Sequence, residues 1–400
     1  MFPALPGHLT AHLSRPPFFL GGGRTTKYEI GNASEDMQIL CSDRLCIAEY
    51  KKITAQVYQD NPFFRDSLSS ILSMLTSSKG AFANRTRQQA IMIKDDQGSS
   101  LASALLIQAN GLPDQVQLSF FEALPDADKA VQSLVDTSAS IVRQWGAKSL
   151  LVSMNGHVNY GLGFLADNFD EPPCFGSSYT PPYYLDYFRS LNFIEEQLVS
   201  YRYPVSSFSG RQEEKILERT RKRFTIRKAD FSRLRQEICI YTRLNNECFA
   251  NHPLYFYRYD DEDYELFRPF RWFLKEENFL IAEHGGIPVG FLLWYPDFNE
   301  LIGPGQELGL QALLRYKLLR RPIIRFKIVE IGVIPRFQGS SVILGLFHAC
   351  YRLTKDRFQE CESGWIFSEN LKSRNICRRW NPVSGPTYSV FSRTLHQDQE

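Results

Sequence analysis

The stretch 326–349, FKIVEIGVIPRFQGSSVILGLFHA, is where this chain is best equipped for chemistry. An apolar strand ends at Pro335, and Arg336-Phe337-Gln338-Gly339-Ser340-Ser341 opens an apolar helix. Such a junction can hold a pyrophosphate. The first N–H groups of a helix have no intrahelical acceptor, and the helix dipole adds positive potential there. Gly339 lets the backbone approach a ligand without a Cβ in the way. On the strand itself, Glu330 is a carboxylate among apolar residues. Burial would raise its pKa and suit it to taking a proton. The plainer alternative is a surface-facing Glu on an edge strand.

The elements around this stretch come in two rounds. Strand patterns at 37–43, 90–110 (two strands and a turn), 115–124, 148–155 and 197–205 alternate with helix patterns at 44–59, 64–75, 126–147 and 181–191. A basic connecting segment follows, with eight Lys/Arg against three acids in 211–228. The second round has strands at 224–230, 278–297 (a hairpin turning at Gly285-Gly286), 326–334, 364–367 and 387–395. Its helices are expected at 231–249, 261–275, 340–358 and 370–380. Order repeats; sequence identity does not.

A chain of 400 residues allows two domains. Hydrophobic residues at 43% and charged residues at 22% describe a folded protein rather than a disordered one. With 46 Lys/Arg against 44 Asp/Glu, the net charge of +2 argues against a dedicated nucleic-acid binder. The eight cysteines form no CxxC pair or Cys/His cluster, so neither zinc nor a disulfide framework is expected, and a cytoplasmic location fits. Residues 1–34 read as a flexible Pro/Gly-rich leader.

The loop at 336–341 resembles the acyl-CoA loop of the GNAT acyltransferase superfamily, Arg/Gln-x-x-Gly-x-Gly/Ala, with Arg336, Gly339 and Ser341 on that spacing. The resemblance extends through both halves. Met154-Asn155-x-x-x-Asn159, Gly163-x-Leu165, Phe169-Asp170-x-Pro172-Pro173 and Tyr179-x-Pro181-Pro182-Tyr183-Tyr184 are similar to a signature of large bacterial GNAT-like proteins with two such folds in tandem. Gly286-x-Pro288-Val289-Gly290-Phe291, Pro296-Asp297-x-Asn299, Gly332-Val333-x-Pro335 and Glu362-x-x-Trp365-Ile366-x-x-x-Asn370 follow in order.

This resemblance implies an α/β (α+β) fold of two tandem GNAT-like domains, at 35–208 and 224–400 with 209–223 between, each a mixed, mostly antiparallel sheet flanked by helices. It implies an N-acyltransferase moving an acyl group from a CoA or acyl-carrier-protein thioester to a primary amine of a lipid precursor, peptide or natural product; the 14% aromatic content and the large tandem form favour a medium or long chain over acetyl. No metal is implied. The competing expectations are a small-metabolite N-acetyltransferase and a non-catalytic binding protein.

Donor binding is then expected of Ile334, Arg336, Phe337, Gln338, Gly339, Ser340, Ser341 and Asn370. An oxyanion-stabilising N–H is expected at Val333 and Ile334, and the base at Glu330. Leu124-Pro125-Asp126-Ala127-Asp128-Lys129, the corresponding loop of the first half, has no Gly or Arg and two carboxylates; it is expected to be vacant, with Asp126 a helix cap.

Asn155, Asn159, Tyr183 and Tyr184 would line an acceptor pocket between the halves, or else cap and pack a compact loop. His157 is a further candidate base and Cys377 reads as a structural thiol. Phe291 and Leu293 share one face of their strand and would wall an acyl chain, with Leu292 and Trp294 on the other. Segment 310–327, with six Lys/Arg, no acid and interleaved Leu and Ile, would meet an anionic membrane at its inner face or an acyl carrier protein, or else lie solvated.

Overall fold

A computed structural model describes residues 37–43, 45–208, 213–380 and 382–395. The leader expected at 1–34 lies outside these, as do residues 209–212 of the connecting segment. The first half runs β1 (Met37–Ser42), α1 (Ile47–Val57), α2 (Ser69–Leu75), β2 (Thr86–Asp95), β3 (Ser100–Ala109), β4 (Gln115–Ala123), α3 (Asp128–Gln144), β5 (Ser149–Val152), β6 (Phe164–Leu165), α4 (Tyr183–Ser190) and β7 (Ile194–Pro204). The second runs α5 (Glu214–Arg223), β8 (Thr225–Lys228), α6 (Leu234–Phe249), α7 (Asp260–Phe270), β9 (Phe279–His284), β10 (Ile287–Pro296), α8 (Leu310–Lys317), β11 (Arg325–Val333), α9 (Val342–Thr354), β12 (Glu360–Ser363), β13 (Ile366–Phe367), α10 (Leu371–Arg378) and β14 (Val383–Thr394).

All strands join one sheet, ordered β1-β2-β3-β4-β5-β14-β7-β12-β11-β10-β9-β8, with β13 on β7 and β6 on β14. Each half lends its last strand to the other. β14 pairs with β5 and β6, β7 pairs with β12 and β13, and β7 and β14 pair along most of their length. Among the described strands, β4 with β5 and β11 with β12 pair parallel and the other pairs are antiparallel. Leu292, Trp294 and Leu346 anchor a core drawn mainly from the second half, Leu106, Leu134 and Phe188 one drawn mainly from the first, and a third cluster with Leu162, Leu254 and Phe256 spans both.

Helix and strand periodicity locates most elements to within a few residues. The segment read as a linker forms α5 instead. Its buried residues, Leu217 and Thr220, are three apart and pack on α9, while seven of its other residues are charged. At the vacant loop of the first half, Asp126 is not the helix cap. It takes a left-handed φ of 58°, Ala127 occupies the cap position, and α3 starts at Asp128.

Candidate functional site

The site begins where two parallel strands part. β11 pairs with β12 only from Arg325/Glu360 to Ile328/Ser363. Opposite β10, Val329 is an extra residue, because Trp294 faces Ile328 and Leu293 faces Glu330. A bulge of this kind bends its strand. Beyond it, β11 follows β10 alone and a wedge opens towards β12. The Ile334 N–H donates to Val289 O at 3.0 Å, which sets the alternation of the ladder. Ile334 therefore has no N–H to offer a ligand, and the Val333 N–H and C=O point away from β10 into the wedge. Gln338 Nε2 donates to the Val333 carbonyl at 3.2 Å. Among the described residues, no side chain accepts from the Val333 N–H.

The bulge also decides which side chains share a face. Residues an odd number apart normally face opposite ways, but one inserted residue brings Lys327 and Glu330 to the same side. Glu330 Oε2 accepts from Tyr241 Oη at 2.7 Å and Asn245 Nδ2 at 3.3 Å, both on α6. Helix α6 comes this close because Gly332 has no side chain. A Cβ there would stand 2.9 Å from Cys248 Sγ and 2.8 Å from Phe291. Burial pushes the Glu330 carboxyl above its ordinary value; the positive charge of Arg258 and the two hydrogen bonds act the other way. β11 lies inside the sheet, so Glu330 is not on an edge strand.

A cavity of about 340 Å³ joins the wedge to the contact between the halves. Glu330, Tyr241, Leu293, Asn159, Lys327 and Ser177 line it, with Ile343 and Phe347 of α9 and Asn370, Ile376 and Cys377 at α10. Asn159 reaches across from the first half, its Nδ2 lying 3.4 Å from both Tyr241 Oη and Asn245 Oδ1. Tyr203, on the exchanged strand β7, donates to Cys377 O at 3.1 Å and also lines the cavity. Burial raises the Cys377 thiol, which suits a packing role.

At the rim, Pro335–Phe337 form a short 3-10 turn before α9. Gly339 has a φ of 79°, with nothing within 4 Å of where a Cβ would stand. Arg336, Gln338 and Gly339 are exposed. Ser341 is the α9 cap residue, and its Oγ lies 2.7 Å from Thr220 Oγ1 on α5. The loop thus offers an open backbone, a helix N-terminus and one guanidinium, which together suit a pyrophosphate.

The first half builds the same wedge and fills it. β4 leaves β5 after Leu118/Val152, with an irregularity opposite Ser103/Leu105. The Leu124 N–H donates to Leu101 O at 3.0 Å, as Ile334 does to Val289, so Ala123 holds the place of Val333. Three tyrosines of α4 close it. Tyr184 Oη accepts the Ala123 N–H at 2.9 Å and Tyr183 Oη donates to the Ala123 carbonyl at 3.0 Å. Tyr187 Oη takes the Ala127 N–H at 2.9 Å, at the start of α3. Lower in the wedge, Asn155 Oδ1 accepts the Phe120 N–H at 2.8 Å.

Of the residues expected at an acceptor pocket only Asn159 lines the cavity, and of the two expected to wall an acyl chain only Leu293 does. Tyr183, Tyr184 and Asn155 are spent inside the first half. Phe291 packs behind Tyr241 with Phe279 and Phe249, and Leu292 and Trp294 pack under α9. His157 has both nitrogens engaged, with Asn159 N–H and Phe256 O, and burial holds its pKa well below the ordinary value. Sequence reasoning missed Tyr241, Asn245, Lys327 and Ser177. For the first two, a signal existed: a Tyr and an Asn four apart on the buried face of α6. Among the described residues, no group of three or more His, Cys, Asp or Glu could hold a metal.

No protein-family model and no curated protein sequence matches the chain. Solved structures do resemble it. One is a GCN5-related glucosamine N-acetyltransferase region of a fungal multi-domain GH3 β-N-acetylglucosaminidase, with 12% identity and a TM-score of 0.55. That match covers 91% of this chain, which spans only 39% of the fungal protein. A tandem GNAT protein from the clavulanic acid biosynthesis pathway matches over 91% of this chain and 100% of its own, with 7% identity and a TM-score of 0.52. A conserved protein of Enterococcus faecalis matches over 90% and 72%, with 8% identity and a TM-score of 0.50. At these identities the likeness is one of fold: the chain folds as two GNAT-like units in tandem, laced together by the exchange of their last strands.

Proposed function

We propose that the chain is an N-acyltransferase whose second half binds an acyl thioester and passes the acyl group to a primary amine. One contrast carries the reading. The two halves build the same wedge, and tyrosines fill it in the first while the Val333 N–H is left free beside Glu330 in the second. The thioester carbonyl oxygen accepts from the Val333 N–H, an oxyanion-stabilising contact. Glu330 takes a proton from the acceptor ammonium. The neutral amine attacks the carbonyl carbon, the C–N bond forms, the C–S bond breaks, and the thiolate leaves with the proton that nitrogen sheds. Arg336 to Ser341 hold the donor's pyrophosphate, and Asn370 borders its path at α10.

The donor is a CoA or carrier-protein thioester of medium or long chain, because the cavity walls near Leu293 are apolar and aromatic. Pockets that hold small organic ligands start at about 300 Å³. The acceptor is an amine of a lipid precursor, peptide or natural product. An anionic lipid surface is the matching partner for α8 and the turn after it. Leu310, Leu314 and Leu318 are 72%, 44% and 72% exposed at four-residue spacing, with Lys317, Arg320 and Arg321 beside them. No helix among the described residues is long and apolar enough to cross a membrane. Amine-dependent release of free thiol from acyl-CoA tests the reading. Release that Gly339→Asp and Glu330→Gln abolish supports it. Donor binding without release, across a broad panel of amines, would leave a binding protein.

A further inference from the structure

Lys327 is an unusual residue to find on the wall of this cavity. It is 4% exposed and sits at the foot of the wedge, on the same face of β11 as Glu330. Its Nζ donates to Ser177 Oγ at 2.5 Å, and Ser177 donates in turn to Glu362 Oε1 at 3.2 Å. Glu362 is already held by Arg202, 3.1 Å from its other oxygen, and Arg202 also pairs with Glu171. Lys327 therefore reaches a carboxylate only through a hydroxyl, and among the described residues it has no acidic oxygen within 4 Å. An ammonium has three N–H donors, and one is used. Burying a cation without direct pairing is costly.

Resting on the acyl-transfer reading, we propose that Lys327 and Ser177 form a carboxylate-binding subsite for the acceptor, so that the amine substrate is an amino acid or a related amino carboxylic acid. Glu330 receives the amine end and Lys327 the acid end. The two residues are three positions apart on a strand, roughly 10 Å along the backbone at about 3.3 Å per residue. Their side chains lean into one cavity, so an acceptor whose amine and carboxylate are several bonds apart spans them. The apolar wall between favours an aliphatic spacer.

The probes are 6-aminohexanoate, its carboxamide 6-aminohexanamide, and hexanoate. Binding is measured without donor, by thermal shift and calorimetry, so the result does not depend on turnover. The proposal expects the amino acid to bind at least tenfold more tightly than the amide, and more tightly than hexanoate. Lys327→Met should erase the preference for acid over amide, and Glu330→Gln the preference for 6-aminohexanoate over hexanoate. Ser177→Ala should weaken acid binding severalfold; it leaves the lysine in place and serves if Lys327→Met fails to fold. Equal affinity for acid and amide in the unmutated protein, or a preference that survives Lys327→Met, overturns the subsite. Hexanoate binding as well as 6-aminohexanoate would move the carboxylate to the acyl side and overturn the acceptor assignment. Selective acid binding with no thiol release from any acyl-CoA would instead count against acyl transfer alone.

Discussion

Tyr184 accepts the Ala123 N–H at 2.9 Å, the backbone group that corresponds to the free Val333 N–H of the second half. The Tyr184 hydroxyl thus occupies the N–H whose counterpart the second wedge leaves open. The same hydroxyl donates to Glu122 Oε2 at 2.8 Å, so it also satisfies a buried carboxyl. Tyr184→Phe should destabilise the fold without touching the chemistry. A buried polar group left unpaired costs about 1–3 kcal/mol. Denaturant unfolding should report a loss of that order, while thiol release per folded molecule stays unchanged. A collapse of turnover in this variant would place function in the first half.

Glu330→Gln should lower kcat by about 10²–10⁴-fold, the usual worth of a positioned base, and leave donor affinity near that of the unmutated protein. The pH profile carries a sign. Burial raises the Glu330 carboxyl and Tyr241 works against that rise. Activity should therefore climb with pH through a value above that of an ordinary glutamate. Tyr241→Phe removes a bond to the charged form, so its acid limb should shift to higher pH. A shift to lower pH would contradict the role given to Tyr241.

Glu122 makes a prediction about stability. Burial pushes its carboxyl from the ordinary 4.5 up to about 8, against the hydrogen bonds of Tyr184 and Tyr50. Between those two values the folded protein keeps a proton that the unfolded chain releases. Stability should then fall as pH rises from 4.5 to about 8, at up to about 1.4 kcal/mol per unit from this group. Glu122→Gln should flatten that slope in melting curves across the window. An unchanged slope would mean that Glu122 is ionised in the folded state.

Acyl-chain preference should answer to Leu293 and not to Leu292. Leu293 faces the cavity and Leu292 the core beneath α9. Each buried CH₂ is worth about 0.8 kcal/mol, so a long chain gains much from that wall. In donor competition, Leu293→Trp should move the preference from palmitoyl- and octanoyl-CoA towards acetyl-CoA. Leu292→Ala should cost about 2–5 kcal/mol of stability and leave the preference alone. Acetyl-CoA turned over best by the unmutated protein would contradict the long-chain reading.

The exposed leucines of α8 predict sedimentation with vesicles containing phosphatidylglycerol. Leu314→Glu with Leu318→Glu should abolish it, and added salt should weaken it, since each basic residue near such a surface contributes about 1 kcal/mol. Equal binding to vesicles of phosphatidylcholine alone would remove the electrostatic part of the argument.

Much of this was legible because it is local. The strand ending at Val333, the turn through Gly339 and the helix after it are read from apolar runs punctuated by Pro335 and Gly339. The contrast between the loop at 336–341 and the acidic loop at 126–128 is a matter of composition, and so it too is visible in one dimension. The exchange of β7 and β14 was not legible, because strand periodicity carries no information on which neighbour a strand chooses. Tyr184 shows the same limit. Its spacing marks a recognisable block, but whether it lines a pocket or fills a wedge depends on where α4 docks. Lys327 was hidden by parity: an unbulged strand would turn it away from Glu330, and no residue of 326–333 announces the bulge at Val329.

The most direct test is a calorimetric titration of the folded protein with acyl-CoA. The second wedge is open and the first is closed, so saturation is expected at one donor per chain. Gly339→Asp should abolish binding, and Asp128→Ala should leave it unchanged. Two donors per chain, or binding that survives Gly339→Asp and is lost in Asp128→Ala, would contradict the account.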